Sequence, residues 1–187
     1  MKEIIEFARG FETIWEETKQ KIKTNDSVET IFKKLELEKK PISEMFYSEI
    51  ENTFGVYIFY IKPTKKYNLS SLKQDWNDKA YIKYPNIIQT RFEKHLPIKT
   101  STQYPFYIGK SEKLGSRVRQ HINQEKDKTT YGLKLKGRRY FNIENITFSY
   151  WKLPEELANC TKEIKQFIIT QIESELRNKL NPWIGKQ

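Results

Sequence analysis

The run Tyr107-Ile108-Gly109-Lys110-Ser111, followed by Leu114, Arg117 and His121, leaves the chain few ways to fold around it. Its aromatic and β-branched start suits an extended strand. A glycine and a short polar turn end that strand, and apolar residues at helical spacing follow. A strand therefore has to feed a helix at this corner. Arg117 and His121 lie four apart, so they share one helix face. A tyrosine, a lysine, an arginine and a histidine then crowd one turn, and such a set suits an anionic ligand better than a core.

The flanking segments supply partners for that strand. Thr53–Ile61 is rich in β-branched and aromatic residues and stops before Pro63, which predicts another strand. Asn145–Trp151 alternates and predicts a third. Leu114–Ile122 reads as a helix. After Pro154, Ile164, Phe167, Ile168, Ile172, Leu176 and Leu180 form the apolar stripe of a longer helix, which Asn181-Pro182 stops. A further helix is possible near Tyr131–Lys136. The N-terminal segment carries Ile4, Phe7, Phe11, Ile14, Trp15, Thr18 and Ile22 at helical spacing, and these aromatics are expected to pack on the rest of the protein. Asn25-Asp26-Ser27 reads as a break and cap, Val28 to Leu35 continue as helix, and a short helical turn is expected over Ser43–Ile50. Residues 62–104, punctuated by Pro85 and Pro97, read as an insertion, with helices expected after Ser70-Ser71 and after Asn86.

The order predicts an α+β fold with a small, mostly antiparallel three-stranded sheet flanked by helices. It divides the chain into an N-terminal helical extension, 1–52, and a domain over 53–187 that carries the insertion between its first two strands.

Charge narrows the partners. The chain of 187 residues has a net charge of +10. Met1–Phe54 holds 9 Lys/Arg against 12 Asp/Glu, whereas the remainder holds 25 against 12. The basic character thus belongs wholly to the part with the Tyr107 corner and points to a polyanion, with nucleic acid the leading partner. The single cysteine, Cys160, can build neither an internal disulfide nor a zinc site, which fits a reducing, cytoplasmic setting. No segment reads as a signal peptide or membrane span, so no membrane partner is expected. The oligomeric state is left open.

The residues themselves resemble the GIY-YIG nucleases. Gly55-Val56-Tyr57 stands where that family has its first tripeptide, and Tyr107-Ile108-Gly109 matches the second. Arg117 occupies the place of the family's catalytic arginine, eight residues after the second glycine, and His121 matches the histidine four further on. Glu173, nine residues before Pro182, has the spacing of the family's metal-binding glutamate. The departures are Val56 for isoleucine, Lys113 where asparagine or aspartate is common, the long insertion, and Trp183 where an asparagine often follows the proline.

The resemblance implies an endonuclease that hydrolyses DNA with Mg²⁺ or Mn²⁺, with Tyr57, Tyr107, Lys110, Arg117, His121 and Glu173 at the catalytic centre and Glu173 on the metal. Restriction-type action is the first reading; a repair or structure-specific nuclease, or a degenerate nucleic-acid-binding protein, is the alternative. The chemistry is coherent without the family. Glu173 is a hard oxygen ligand of the kind Mg²⁺ takes beside phosphate and water. Arg117 can grip a phosphate with two N–H groups. The resemblance makes Tyr57 the general base or the group that positions water. A phenol with a pKa of about 10 needs nearby positive charge for that work, and Lys110 and Arg117 are the candidates. His121 is expected either to accept the Tyr57 proton or to orient the phenol, and Tyr107 to fix the geometry.

Each of these residues also has an ordinary reading: strand tyrosines as packing, basic residues as solvated surface, His121 as a helix cap. Glu175 rivals Glu173, since both flank the same apolar stripe. Lys134, Lys136, Arg138 and Arg139, interleaved with Tyr131 and Tyr140, are expected to form a phosphate-contact strip.

Overall fold

The computed structural model describes residues 1–24, 26–42, 47 and 49–185, without the side chains of 23 and 24. Two helices, α1 (Lys2–Thr24) and α2 (Asp26–Leu37), precede a two-residue strand, β1 (Lys40–Pro41). Next come β2 (Gly55–Ile61), α3 (Leu69–Trp76), β3 (Asn86–Ile87), α4 (Gln89–Phe92) and β4 (Tyr104–Ser111). The chain then forms α5 (Leu114–Asn123), β5 (Ile146–Lys152), α6 (Lys162–Leu180) and β6 (Ile184–Gly185). The turn expected over Ser43–Ile50 falls mostly outside the described residues, as does Asn25 of the expected break.

The fold is α+β, and its main sheet is antiparallel throughout. The expected three strands are present, but the sheet has four, in the order β1-β5-β2-β4. The fourth escaped notice because only Lys40 and Pro41 pair with β5, and Pro41 suits an edge position. A second, two-stranded sheet joins β3 to β6. Asn86, expected to cap a helix, instead pairs in that sheet. The cap of α3 is Asn68, whose side chain accepts from the Ser71 amide. The helix expected near Tyr131–Lys136 is one 3₁₀ turn, Leu135–Gly137.

Every residue of β2 is buried, because helices cover both faces of the sheet. Strand alternation sends Tyr57, Phe59 and Ile61 to one face, where they join Phe106, Leu114, Val118, Phe141, Trp76 and Trp183. Val56, Ile58 and Tyr60 point the other way, onto Val28, Ile31 and Leu35 of α2 and Ile169, Ile172 and Leu176 of α6. The insertion belongs to the first of these cores. Trp76 meets Phe106 and Phe141 edge-on at 5.3 Å, so α3 packs into the domain.

One expectation about α1 fails. Ile4, Phe7, Phe11 and Ile14 lie in solvent, with Phe7 74% exposed. From Trp15 onward the helix reaches the body: the Trp15 ring lies 4.0 Å from that of Phe167, and Ile22 packs on the core between α2 and α6. The stripe marks a helix correctly, but the periodicity carries no information about what the stripe covers.

Candidate active site

The site forms at the edge strand β4, where α5 and α6 come together from opposite sides of the sheet. Gly109 lies directly across from Tyr57 in the β2–β4 ladder. A Cβ on Gly109 would stand 2.4 Å from the Tyr57 hydroxyl oxygen and 3.0 Å from Cε1 of Tyr107. The glycine is there because the Tyr57 ring lies over its backbone. Gly55 has a similar reason, since a Cβ would stand 2.3 Å from the Trp151 carbonyl oxygen.

Helix α5 is anchored by the segment just before β2. The amides of Leu114 and Gly115 donate to the carbonyls of Thr53 and Glu51 at 3.0 and 3.1 Å, and that of Ser116 to Asn52 Oδ1 at 2.7 Å. Three of the four amides that a helix start leaves without partners are thereby satisfied. The anchor turns Arg117 and His121 toward the tyrosines. Tyr57 Oη and His121 Nε2 are 2.7 Å apart, and the Tyr107 ring centroid lies 4.9 Å from that of His121.

His121 is fully buried, and its other nitrogen settles its tautomer. The Leu133 amide donates to Nδ1 at 3.1 Å, so Nδ1 carries no proton. Burial, then the charge of Arg117, holds the imidazole pKa well below its usual value. The neutral ring therefore keeps its one proton on Nε2 and donates it to Tyr57 Oη. Of the two roles open to His121, this bond selects orientation: a ring that already donates at Nε2 cannot take the tyrosine proton there.

Burial pushes the Tyr57 phenol far above its ordinary pKa; Tyr107 and Glu173 add to the rise, and Arg117 opposes it. Tyr107 is raised chiefly by burial, with Arg117 again opposing and Glu173 reinforcing. These couplings put Arg117 and Glu173 within electrostatic reach of both phenols. Glu173, rather than Glu175, is thus the carboxylate that acts on them. It is buried, and Arg177, one turn along α6, donates to its Oε1.

A metal reading has to fit that geometry. Among the described residues no three His, Cys, Asp or Glu side chains gather at one place. One carboxylate fits a hard cation whose other ligands are phosphate oxygens and water. The Arg177 bond engages one oxygen of Glu173 and leaves Oε2 out of that bond, so Glu173 suits such an ion only where Arg177 shares or releases it.

The structure thus brings Tyr57, Tyr107, Arg117, His121 and Glu173 together. Lys110 is not among them as expected. It pairs with Val56, on the opposite face from Tyr57, and its ammonium donates to Thr170 Oγ1 on α6. The basic strip is also cut in half. Lys134 is fully buried, its ammonium donating to the carbonyls of Ile82, Lys126 and Lys128 at 2.5, 3.1 and 2.6 Å. Arg138 is buried against the Trp76 ring at 3.5 Å and donates to the carbonyls of Leu133 and Trp76. Both bind the protein's own backbone, so only Lys136 and Arg139 are left facing solvent. The sequence reading missed Arg177, although an arginine four residues after a glutamate is a familiar helix pair. It also missed Arg91, for which no local signal exists.

No family model, no curated protein and no solved structure matches this chain. Among the described residues no helix is long and apolar enough to cross a membrane.

Proposed function

We propose that the protein is an endonuclease of restriction type that hydrolyses phosphodiester bonds in duplex DNA with Mg²⁺ or Mn²⁺. The observation that supports this most is the meeting of Tyr57, Tyr107, Arg117, His121 and Glu173 at one sheet edge, from positions as far apart as 57 and 173. The excess of Lys/Arg over Asp/Glu beyond residue 54 adds a reason for a phosphate polymer.

In this reading Glu173 holds the ion, which when bound supplies charge neutralisation at a phosphate oxygen. Arg117 binds the reacting phosphate and stabilises the charge that grows on it. Tyr57 takes the proton of the attacking water once it is a phenolate. His121 favours that form by donating to Oη, and Arg117 favours it by its charge. Tyr107 confines the Tyr57 ring.

Supercoiled plasmid incubated with Mg²⁺ tests this. Wild type is expected to nick and linearise it, and Glu173→Ala to lose about a thousandfold in rate, equivalent to roughly 4 kcal/mol of barrier. Equal cutting by both proteins, or by neither across several substrates, defeats the proposal. Cut ends mapped on random duplex DNA should share one recurrent sequence; scattered ends would make it a repair or structure-specific nuclease. The Arg177 bond to Glu173 favours a second reading, a nucleic-acid-binding protein without catalysis. Salt-dependent DNA binding with no metal-dependent cleavage distinguishes that case.

A further inference from the structure

The insertion delivers an arginine to the back of this site. Its strand β3 pairs with β6, Asn86 with Gly185 and Ile87 with Ile184. The Ile88 amide donates to the Trp183 carbonyl at 2.9 Å. One turn later, Lys94 donates to Asn181 Oδ1 at 2.9 Å, and His95 Nε2 lies 2.8 Å from the Asn181 carbonyl oxygen. Asn181 is the C-cap of α6, so these bonds fix α4 against the end of the helix that bears Glu173 and Arg177. Arg91 stands on α4 between the pinned residues. Its Nη1 is buried and has no hydrogen-bond acceptor among the described residues.

Such a nitrogen is costly unless something binds it, because a buried donor loses water without replacement. Its surroundings say what kind of group that is. Arg177 and Glu173 both act electrostatically on Arg91, the first depressing its pKa after burial and the second raising it. Two guanidinium groups thus share one carboxylate. The surplus is positive, and planar guanidinium groups match the oxygens of a phosphate in pairs.

We infer that Arg91 and Arg177 form a second phosphate subsite behind Glu173, which takes a backbone phosphate next to the one that Arg117 binds. Arg177 serves as a latch there. In the free protein it neutralises Glu173; with DNA in place it turns to the phosphate and leaves the carboxylate to a cation. Metal and DNA then favour each other's binding, as linkage requires of any two ligands coupled through one group. The subsite rests on the reading of the chain as a DNA-binding nuclease.

The test uses the full chain and a fluorescent duplex oligonucleotide in EDTA, with anisotropy read over a series of salt concentrations. Arg91→Met is expected to weaken binding about tenfold near 0.1 M salt and to reduce the salt slope by about 0.9, the loss of one phosphate contact. Arg91→Lys should recover the slope, and it also serves where the methionine variant melts early. A second arm titrates Mn²⁺, followed by its electron paramagnetic resonance signal, with and without duplex. Wild type should bind Mn²⁺ at least about tenfold tighter with duplex, whereas Arg177→Met should bind it almost equally in both cases, a coupling of roughly 1.4 kcal/mol removed. Unchanged binding and slope in Arg91→Met and Arg91→Lys, no duplex binding by wild type, or Mn²⁺ affinity indifferent to duplex in wild type would each overturn the subsite. Wild type that binds DNA through Arg91 and shows the coupling, yet cuts nothing, would defeat the nuclease reading alone.

Discussion

The two walls of the site are built on opposite principles. One wall, on β2, β4 and α5, presents the buried Tyr57 and His121 and the half-buried Tyr107, held neutral by the loss of water, with His121 and Tyr57 joined by a bond. The other, on α6 and the insertion, presents Glu173, Arg177 and Arg91, which are charged and in which one carboxylate offsets part of the positive charge of two guanidinium groups. Arg117, also on α5, acts on both phenols. Burial penalises charge, so groups that move protons gain from a dry wall in which small changes of nearby charge shift their ionisation strongly. Groups that hold ions gain from mutual compensation. On the nuclease reading proposed above, the difference gives proton work to the first wall and charge work to the second.

After the loss expected of Glu173→Ala, the largest effect comes from disturbing the first wall without touching a polar atom. In Gly109→Ala the new methyl would lie 2.4 Å from the Tyr57 oxygen and 2.5 Å from its Cζ, so the ring has to move. A displacement of about 1 Å in a catalytic group can cost a hundredfold, and cleavage should fall by about that factor. Duplex binding in EDTA, which belongs to the second wall and Arg117, should stay near wild type. Equal losses in binding and cleavage would mean that the walls are not separable.

The first wall was much the more legible in the sequence. Tyr57, Tyr107, Arg117 and His121 lie on regular elements whose periodicity fixes their faces, and two short motifs contain all four. Lys110 was misplaced for a related reason: its neighbourhood was read from proximity in sequence, although strand alternation puts it on the opposite face from its neighbour Gly109. The second wall is assembled from long-range contacts. Arg91 reaches it through a two-residue ladder with β6 and through bonds to Asn181, none of which leaves a local pattern. Lys134 and Arg138 misled for a different reason. Fully buried cations are rare, and nothing in the residue string marks the carbonyls that bind them. The stripe on α1 shows the converse, a pattern that predicts a helix but not its burial.

A smaller effect separates the walls by pH. His121 has a folded-state pKa well below its unfolded value near 6.5. Below 6.5 the unfolded chain takes up a proton on this ring that the folded chain refuses, so the group's contribution to stability is present above 6.5 and is lost as the pH falls. Arg117, Tyr57 and Tyr107 face the ring and offer no anion that would offset the added charge. Denaturant melts between pH 6.5 and 5 should show wild type losing up to about 2 kcal/mol more than His121→Gln, given at most about 1.4 kcal/mol per pH unit for one proton. Parallel curves for the two proteins would mean that the ring takes up its proton in place. The raised phenols predict that activity goes on changing above that window, with cleavage still rising with pH up to about 9.

The smallest effect concerns what holds the first wall in register. Lys134 and Lys136 are two residues apart, and their sequence surroundings are alike. Lys134 ties Ile82, Lys126 and Lys128 together from inside, next to Leu133, whose amide sets the His121 tautomer. Lys136 lies in solvent. Lys134→Met keeps the buried stem but leaves three carbonyls without their donor, which should cost about 1–2 kcal/mol once water reaches some of them. Because Leu133 shares that loop, the variant should also lose part of the slope in stability below pH 6.5 that is assigned to His121. Lys136→Met should leave stability within about 0.5 kcal/mol of wild type. Its loss should fall on duplex affinity, with the salt slope smaller by about 0.9. Chemical denaturation and anisotropy on the same two proteins separate these outcomes. A Lys134→Met variant that is as stable as Lys136→Met would show that the loop holds Leu133 without that ammonium, and the proton wall would then depend on the sheet and α5 alone.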